Sequence, residues 1–407
     1  MTDSSAIKSK KGLRQLLFLS VAAFFDGFDF MAITQILPGL RQDFGLNEFH
    51  GGLLISFVNA GALISYFLLR LTDRFGRIRL LKTTIAGYSV FTALSGLAPD
   101  IYSFAAFQFL ARIFLISEVS IAIIYASEEF PASKRGLYLG IIQGFLSLGF
   151  IVCAVVVPIM LNSVFGWRGV YFIGIIPLML IAYGRRSMQE TNRYSSLSGI
   201  RENEPLFAIW RTPYRMRLLQ TSLIWLFTYM CTHSAVVFWK EFAVAERNFT
   251  DEMVGSAISL ASVVALPLVF LTGRFLDVAG RKLGAVIVFT IQITSVVLSY
   301  SLHGFWALTF SLILGTYGSS AVMIVLNALT AELFPTFMRG NAFAWSNQLI
   351  GRTGYVLSPM LVGYFALNFG WGDVSKNLGI FTFTALMMIL VLFPETKLKE
   401  LEQTSQL

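Results

Sequence analysis

Ionisable side chains set in apolar surroundings are where this sequence can do chemistry, and they are few. Asp26 and Asp29 stand in Phe25-Asp26-Gly27-Phe28-Asp29, a spacing that puts both carboxylates on one helix face. Two carboxylates so close in a low dielectric favour a shared site that takes up and releases a proton, which is what proton coupling requires. The other reading is an aspartate that pairs with a neighbouring cation such as Arg112. Arg112 and Glu118 lie about a turn and a half apart in a second apolar run. Glu118 joins Asp26 and Asp29 as a candidate proton carrier, and Arg112 is either a ligand contact or half of a structural ion pair. Arg352 stands in Gly351-Arg352-Thr353-Gly354-Tyr355 with no acidic residue one or two turns away on its own segment. A guanidinium does not discharge, so its counter-charge comes from another helix, with Asp26 and Asp29 as candidates, or from a bound carboxylate. Trp225, Tyr229, Trp345 and Tyr355 can stack on a ring or simply pack. His233 is either a titrating group or a plain buried histidine.

The elements that position these residues follow from hydropathy. Of the 407 residues 56% are hydrophobic and only 13% charged, against about a quarter charged in soluble domains. The solvent for most of this surface is therefore lipid. Apolar segments of spanning length fall at 13-40, 51-72, 78-98, 101-127, 136-162, 167-184, 216-240, 252-273, 282-302, 305-331, 340-367 and 377-394. This predicts an all-α membrane protein of twelve transmembrane helices. The residues up to Lys11 are polar and basic, and no small-residue cleavage site follows them, which predicts a retained first helix. With the N-terminus cytoplasmic, 24 of the 31 Lys and Arg residues face the cytoplasm and five the opposite side. That bias predicts both termini in the cytoplasm, and it explains the basic charge without nucleic acid. The expected organisation is a six-helix half over 1-184, a cytoplasmic linker over 185-215, a second six-helix half over 216-394 and a cytoplasmic tail over 395-407.

An internal repeat supports two halves. Glu128-x-x-Pro131-x-x-x-Arg135-Gly136 recurs as Glu332-x-x-Pro335-x-x-x-Arg339-Gly340, and Asp73-x-x-Gly76-Arg77 recurs as Asp277-x-x-Gly280-Arg281, both at an offset of 204. At the same offset His233 is the counterpart of Asp29. The run from Leu69 through Asp73, Arg74, Gly76 and Arg77, its partner Gly273 to Lys282, and the two Glu-x-x-Pro-x-x-x-Arg-Gly blocks resemble the signature loops of the major facilitator superfamily over the whole chain. One departure is Leu69, where the family's first signature opens on glycine. The resemblance implies a fold of two pseudo-symmetric six-helix halves and solute transport by alternating access. It also implies a gating role for Asp73, Arg74, Gly76, Arg77, Glu128, Arg135, Asp277, Arg281, Glu332 and Arg339. Asp26-Gly27-Phe28-Asp29 is similar to the Asp-Gly-x-Asp of aromatic-acid/proton symporters, and Gly351-Arg352-Thr353-Gly354 to the Gly-Arg-x-Gly of organic-acid and sugar facilitators. The arginine of the family's fourth helix aligns with Gln108, one turn from Arg112.

The sequence has no phosphate-binding loop, its Cys153 and Cys231 form no metal spacing, and its three histidines are scattered. An enzyme, a cofactor and a metal are thus not expected. The leading expectation is proton-coupled import of a small organic anion by a monomer in a bacterial inner membrane. Beside it stand a proton antiporter exporting an amphipathic compound and a non-transporting membrane sensor.

Overall fold

In the computed structural model the described residues are 2-70, 75-129, 135-173, 175-176 and 207-395, and no strand occurs among them. Helix is the expected outcome, because in lipid every backbone N–H and C=O must be satisfied within its own segment. Along the first half run α1 (Thr2–Phe44), α2 (Glu48–Arg70), α3 (Arg77–Gly96), α4 (Ile101–Glu129), α5 (Arg135–Leu161) and α6 (Gly166–Phe172). After a short 3₁₀ turn at Ala208–Arg211 come α7 (Arg215–Val237), α8 (Trp239–Arg247), α9 (Asp251–Ala279), α10 (Arg281–Ser301) and α11 (Phe305–Leu333). The chain continues through α12 (Thr336–Phe343), a π-helical stretch (Ala344–Gly351), α13 (Thr353–Lys376) and α14 (Gly379–Leu392). Among the described residues seven helices are long and apolar enough to cross a membrane, and nine if each of two bent pairs is one span. The third expected span is helical but less apolar than these. The sixth is described only over its first part, as α6 with residues 173, 175 and 176, and most of the expected linker lies outside the described residues.

The repeat is visible in the backbone. Gly76 and Gly280, 204 residues apart, adopt φ 94° and φ 95°, and each precedes the helix that follows its signature. Such dihedrals suit glycine because it has no Cβ to clash. A third pair at that offset escaped the motif reading: Phe165-Gly166-Trp167 and Phe369-Gly370-Trp371, whose glycines have φ 54° and φ 76°. Both tryptophans are buried, Trp167 edge-on to Phe104 and Trp371 stacked on Phe238.

Packing groups the chain into two compact units, Met1–Leu40 with Ile64–Glu202, and Arg41–Leu63 with Asn203–Leu407. The first has its apolar core in Leu19, Leu81, Tyr88, Ile121 and Tyr125. The second is built around Trp225, Phe289, Val322, Phe334 and Ile389. The N-terminal part of α2 belongs to the second unit for a local reason. A Cβ on Gly52 would meet the Pro359 carbonyl and Gly363, and one on Gly363 would meet the Glu48 carbonyl, so two glycines let these backbones touch. Arg41 adds a fork, donating from Nη1 to Glu241 at 2.7 Å and from Nη2 to Glu48 at 2.7 Å while lying over the Trp371 ring.

Candidate substrate and ion sites

In the first unit the expected acidic residues come together. A Cβ on Gly27 would overlap the Leu146 carbonyl and one on Gly149 the Phe24 carbonyl, so α1 and α5 cross in direct backbone contact. That crossing fixes the turn bearing Asp26 and Asp29. Asp26, Asp29, Arg112 and Glu118 are all buried. Asp26 lies within electrostatic range of both Asp29 and Glu118, and Asp29 within that of Arg112. Thr92 of α3 donates its hydroxyl to Asp29 at 3.3 Å. Arg112 sets its guanidinium 4.9 Å from the centre of the Phe30 ring, one turn beyond Asp26. Oδ1 of Asp26 and both carboxylate oxygens of Glu118 are buried with no hydrogen-bond partner among the described residues. Gln108, at the family's arginine position, is occupied with Ser95, to which its amide donates at 2.9 Å.

The second unit assembles a cluster of a different kind. Along α7, Trp225, Tyr229 and His233 recur one turn apart, and Tyr355 of α13 lies against the last two, 4.4 Å from the Tyr229 ring and 4.2 Å from the His233 ring. Gly351 and Gly354 allow this: a Cβ on the first would press on the Ser346 carbonyl and Trp225, and one on the second on the Leu226 carbonyl. Between them Arg352 ends the π-helical stretch, a rare geometry that often marks functional sites. It stands beside Tyr229, whose hydroxyl also donates to Asn347 at 3.0 Å. Nε and Nη1 of Arg352 are buried with no hydrogen-bond partner among the described residues. Trp225 donates its indole N–H to Thr330 at 3.0 Å. Trp345 is elsewhere, packed on Phe207 and Trp210.

Two amides that the sequence reading missed complete the wall. Asn347 is one, and Asn59 of α2 is the other: its Nδ2 stands 2.7 Å from His233 Nε2 and donates to the Tyr355 carbonyl at 3.1 Å. Their only signal in the sequence was a neutral amide in an apolar run.

Of the expected gating residues, Asp73 and Arg74 lie outside the described residues, as do the side chains of Arg77, Glu128, Arg135, Asp277 and Arg339. Arg281 is described. It donates to Glu332 at 2.8 Å and to the Leu276 carbonyl at 2.9 Å, joining the ends of α9 and α11 to the start of α10. Glu395, not foreseen, caps α10 by accepting from the backbone N–H groups of Arg281 and Lys282, each at 2.9 Å. A carboxylate there meets the positive end of the helix. Gly76 serves the matching turn before α3.

The chain matches the profile described as the Major Facilitator Superfamily over residues 19-352 and 227-406. It is 29% identical to the sialic acid transporter NanX of Escherichia coli K12, over 91% of each chain. It is 24% identical to the cis,cis-muconate transport protein of Acinetobacter baylyi, over 96% of this chain and 95% of that one. Among solved structures it resembles the D-xylose-proton symporter with a TM-score of 0.77 at 17% identity, over 95% of this chain and 98% of that one. At that identity the likeness speaks for the fold alone.

Proposed function

This chain belongs to the major facilitator superfamily, and we propose from that premise that it imports a small organic anion together with protons. It is a membrane transporter with the superfamily's all-α fold, two halves of six spanning helices. The observation that carries the substrate reading is Arg352, half-buried in the second unit beside Tyr229 and its neighbour Tyr355, with Nε and Nη1 buried and lacking a hydrogen-bond partner among the described residues. A cation in a span costs about 2.5–3.5 kcal/mol unless it is compensated. A carboxylate supplies both the charge and the acceptors, and the rings supply a face for a planar body. The named substrates of two relatives, sialic acid and muconate, are carboxylic acids.

The proton belongs to the first unit. Three buried carboxyl groups, Asp26, Asp29 and Glu118, share a cluster with the guanidinium of Arg112. Fully ionised, they would carry more negative charge than that one cation offsets, so a proton is accommodated there at low cost. Both termini face the cytoplasm in this reading, and the membrane is a bacterial inner membrane. Arg281 with Glu332 is a gating pair of the cytoplasmic loops, and Arg77 and Glu128 stand at the corresponding positions of the repeat.

The test is uptake into proteoliposomes with acid outside, offering sialic acid, cis,cis-muconate, benzoate and benzamide. The expected result is accumulation of at least one carboxylate, none of benzamide, and collapse of the accumulation by a protonophore. Benzamide uptake equal to that of benzoate would overturn the anion assignment, and accumulation indifferent to the proton gradient would overturn the coupling.

A further inference from the structure

We infer that His233 is a second proton-binding site, and that its protonation releases α2 from the wall of the aromatic cluster in the second unit. The inference goes beyond the proposed function, which places the proton on carboxylates of the first unit, and it needs no substrate to be true. It rests on how one amide is used. Nδ2 of Asn59 faces two acceptors, the Tyr355 backbone carbonyl at 3.1 Å and His233 Nε2 at 2.7 Å. A carbonyl only accepts, so the amide must present its NH₂ group on this side. Its two protons then serve the two contacts, and Nε2 of His233 is the acceptor. This fixes the imidazole as the neutral form with its hydrogen on Nδ1.

Protonation removes that acceptor. The imidazolium donates from both nitrogens, so its Nε2–H meets the Asn59 NH₂ group, two donors face to face. Turning the amide over does not repair the contact, because Oδ1 would then face the Tyr355 carbonyl. No orientation of Asn59 satisfies both neighbours once His233 carries a second proton. Both residues are buried, with Asn59 at 2% and His233 at 7% exposure, so water does not readily replace the lost bond.

The clasp is placed to matter. Asn59 is two turns along α2 from Gly52, where that helix touches α13 backbone to backbone. On the other side His233 lies on the face of Tyr355, the ring that also covers Tyr229. Among the described residues, titratable and charged groups near His233 include Tyr355 of α13, Tyr229 on α7 itself, Arg352 beside Tyr229, and Tyr300 of α10, which donates to the Ala235 carbonyl at 2.8 Å. Proton arrival at His233 thus loosens α2 and frees the imidazole beside the rings in a single event. By the repeat, this site is the counterpart in the second half of Asp29 in the first.

The experiment reads α2 directly. Cys153 and Cys231 are replaced by alanine and Ser56, buried on α2 one turn before Asn59, by cysteine. The labelling rate of Ser56→Cys by a membrane-permeable maleimide is measured in proteoliposomes with equal pH inside and out, from pH 5 to pH 8, and corrected for thiolate fraction with a free-thiol standard. The expected result is corrected labelling about tenfold faster at pH 5 than at pH 8, with a midpoint in the imidazole range. In His233→Gln, whose amide carbonyl still accepts but does not titrate there, the rate should stay slow throughout. In Asn59→Asp, where a carboxylate faces the imidazole, the pH dependence should change sign, because the imidazolium now gains a partner. A corrected rate that is flat with pH in the His233-containing protein, or an acceleration that survives in His233→Gln, overturns the proposal. Neither result bears on whether Arg352 binds an anion.

Discussion

At the scale of the residue, the buried carboxyl groups of the first unit differ in what supports them. Asp26 and Glu118 keep carboxylate oxygens out of water without hydrogen-bond partners among the described residues, while Asp29 has Thr92 and the nearby Arg112. The residue with supporting partners is better placed to stay charged, and those without are better placed to exchange a proton. Asp26→Asn and Glu118→Gln are therefore each expected to retain substrate exchange across the membrane while cutting gradient-driven accumulation about tenfold or more. Counterflow and uptake assays on the same vesicles separate the two activities. Accumulation at the wild-type level in both variants and in their double would remove these groups from the coupling. The positions of these charged residues are legible in the sequence, because a charge in an apolar run stands out: Asp26, Asp29, Arg112, Glu118 and Arg352 each interrupt a hydrophobic segment. The amides did not stand out. Asn59 reaches across 174 residues to His233 and 296 to Tyr355, and no local pattern encodes such separations.

At the scale of the element, glycine sets how closely the helices approach. Gly27 with Gly149 and Gly351 with Gly354 each permit a contact that a methyl group would forbid, and Gly27, Gly351 and Gly354 each stand next to a site residue. Gly354→Ala should push α13 away from α7 and cost about 1–3 kcal/mol, through overpacking against the Leu226 carbonyl. It should lower Tm and weaken ligand binding together. Gly144→Ala, where a Cβ meets nothing within 4 Å, is the matched control and should do neither. Equal behaviour of the two variants in a thermal unfolding assay would show that close approach is not what positions Arg352. Glycines in the motifs were readable from sequence, but the π-helical turn before Arg352 was not. The stretch packs against α7, and no residue pattern in Ala344–Gly351 announces its geometry.

At the scale of the whole molecule, the duplication is the strongest link from sequence to architecture. Gly76 matches Gly280 in backbone conformation, and Gly166 and Gly370 share a positive φ, at the offset first read from the loop motifs. The second Glu-x-x-Pro block delivers a built ion pair, Glu332 with Arg281. Removing it by Glu332→Gln should shift the balance between inward- and outward-open states, read as cysteine accessibility, and leave intrinsic affinity little changed. Lost binding with unchanged accessibility would contradict a gating role. The claim on which the account turns is that Arg352 holds the substrate's carboxylate. The direct measurement is benzoate affinity of the purified protein against pH, for wild type, Arg352→Lys and Arg352→Ala, with benzamide alongside. Lysine keeps the charge but loses the planar fork, so binding should weaken by about 1–3 kcal/mol. In Arg352→Ala benzoate binding should vanish, and wild type should prefer benzoate to benzamide throughout. Normal benzoate affinity in Arg352→Ala, or wild-type binding of benzamide as tight as that of benzoate, would contradict it.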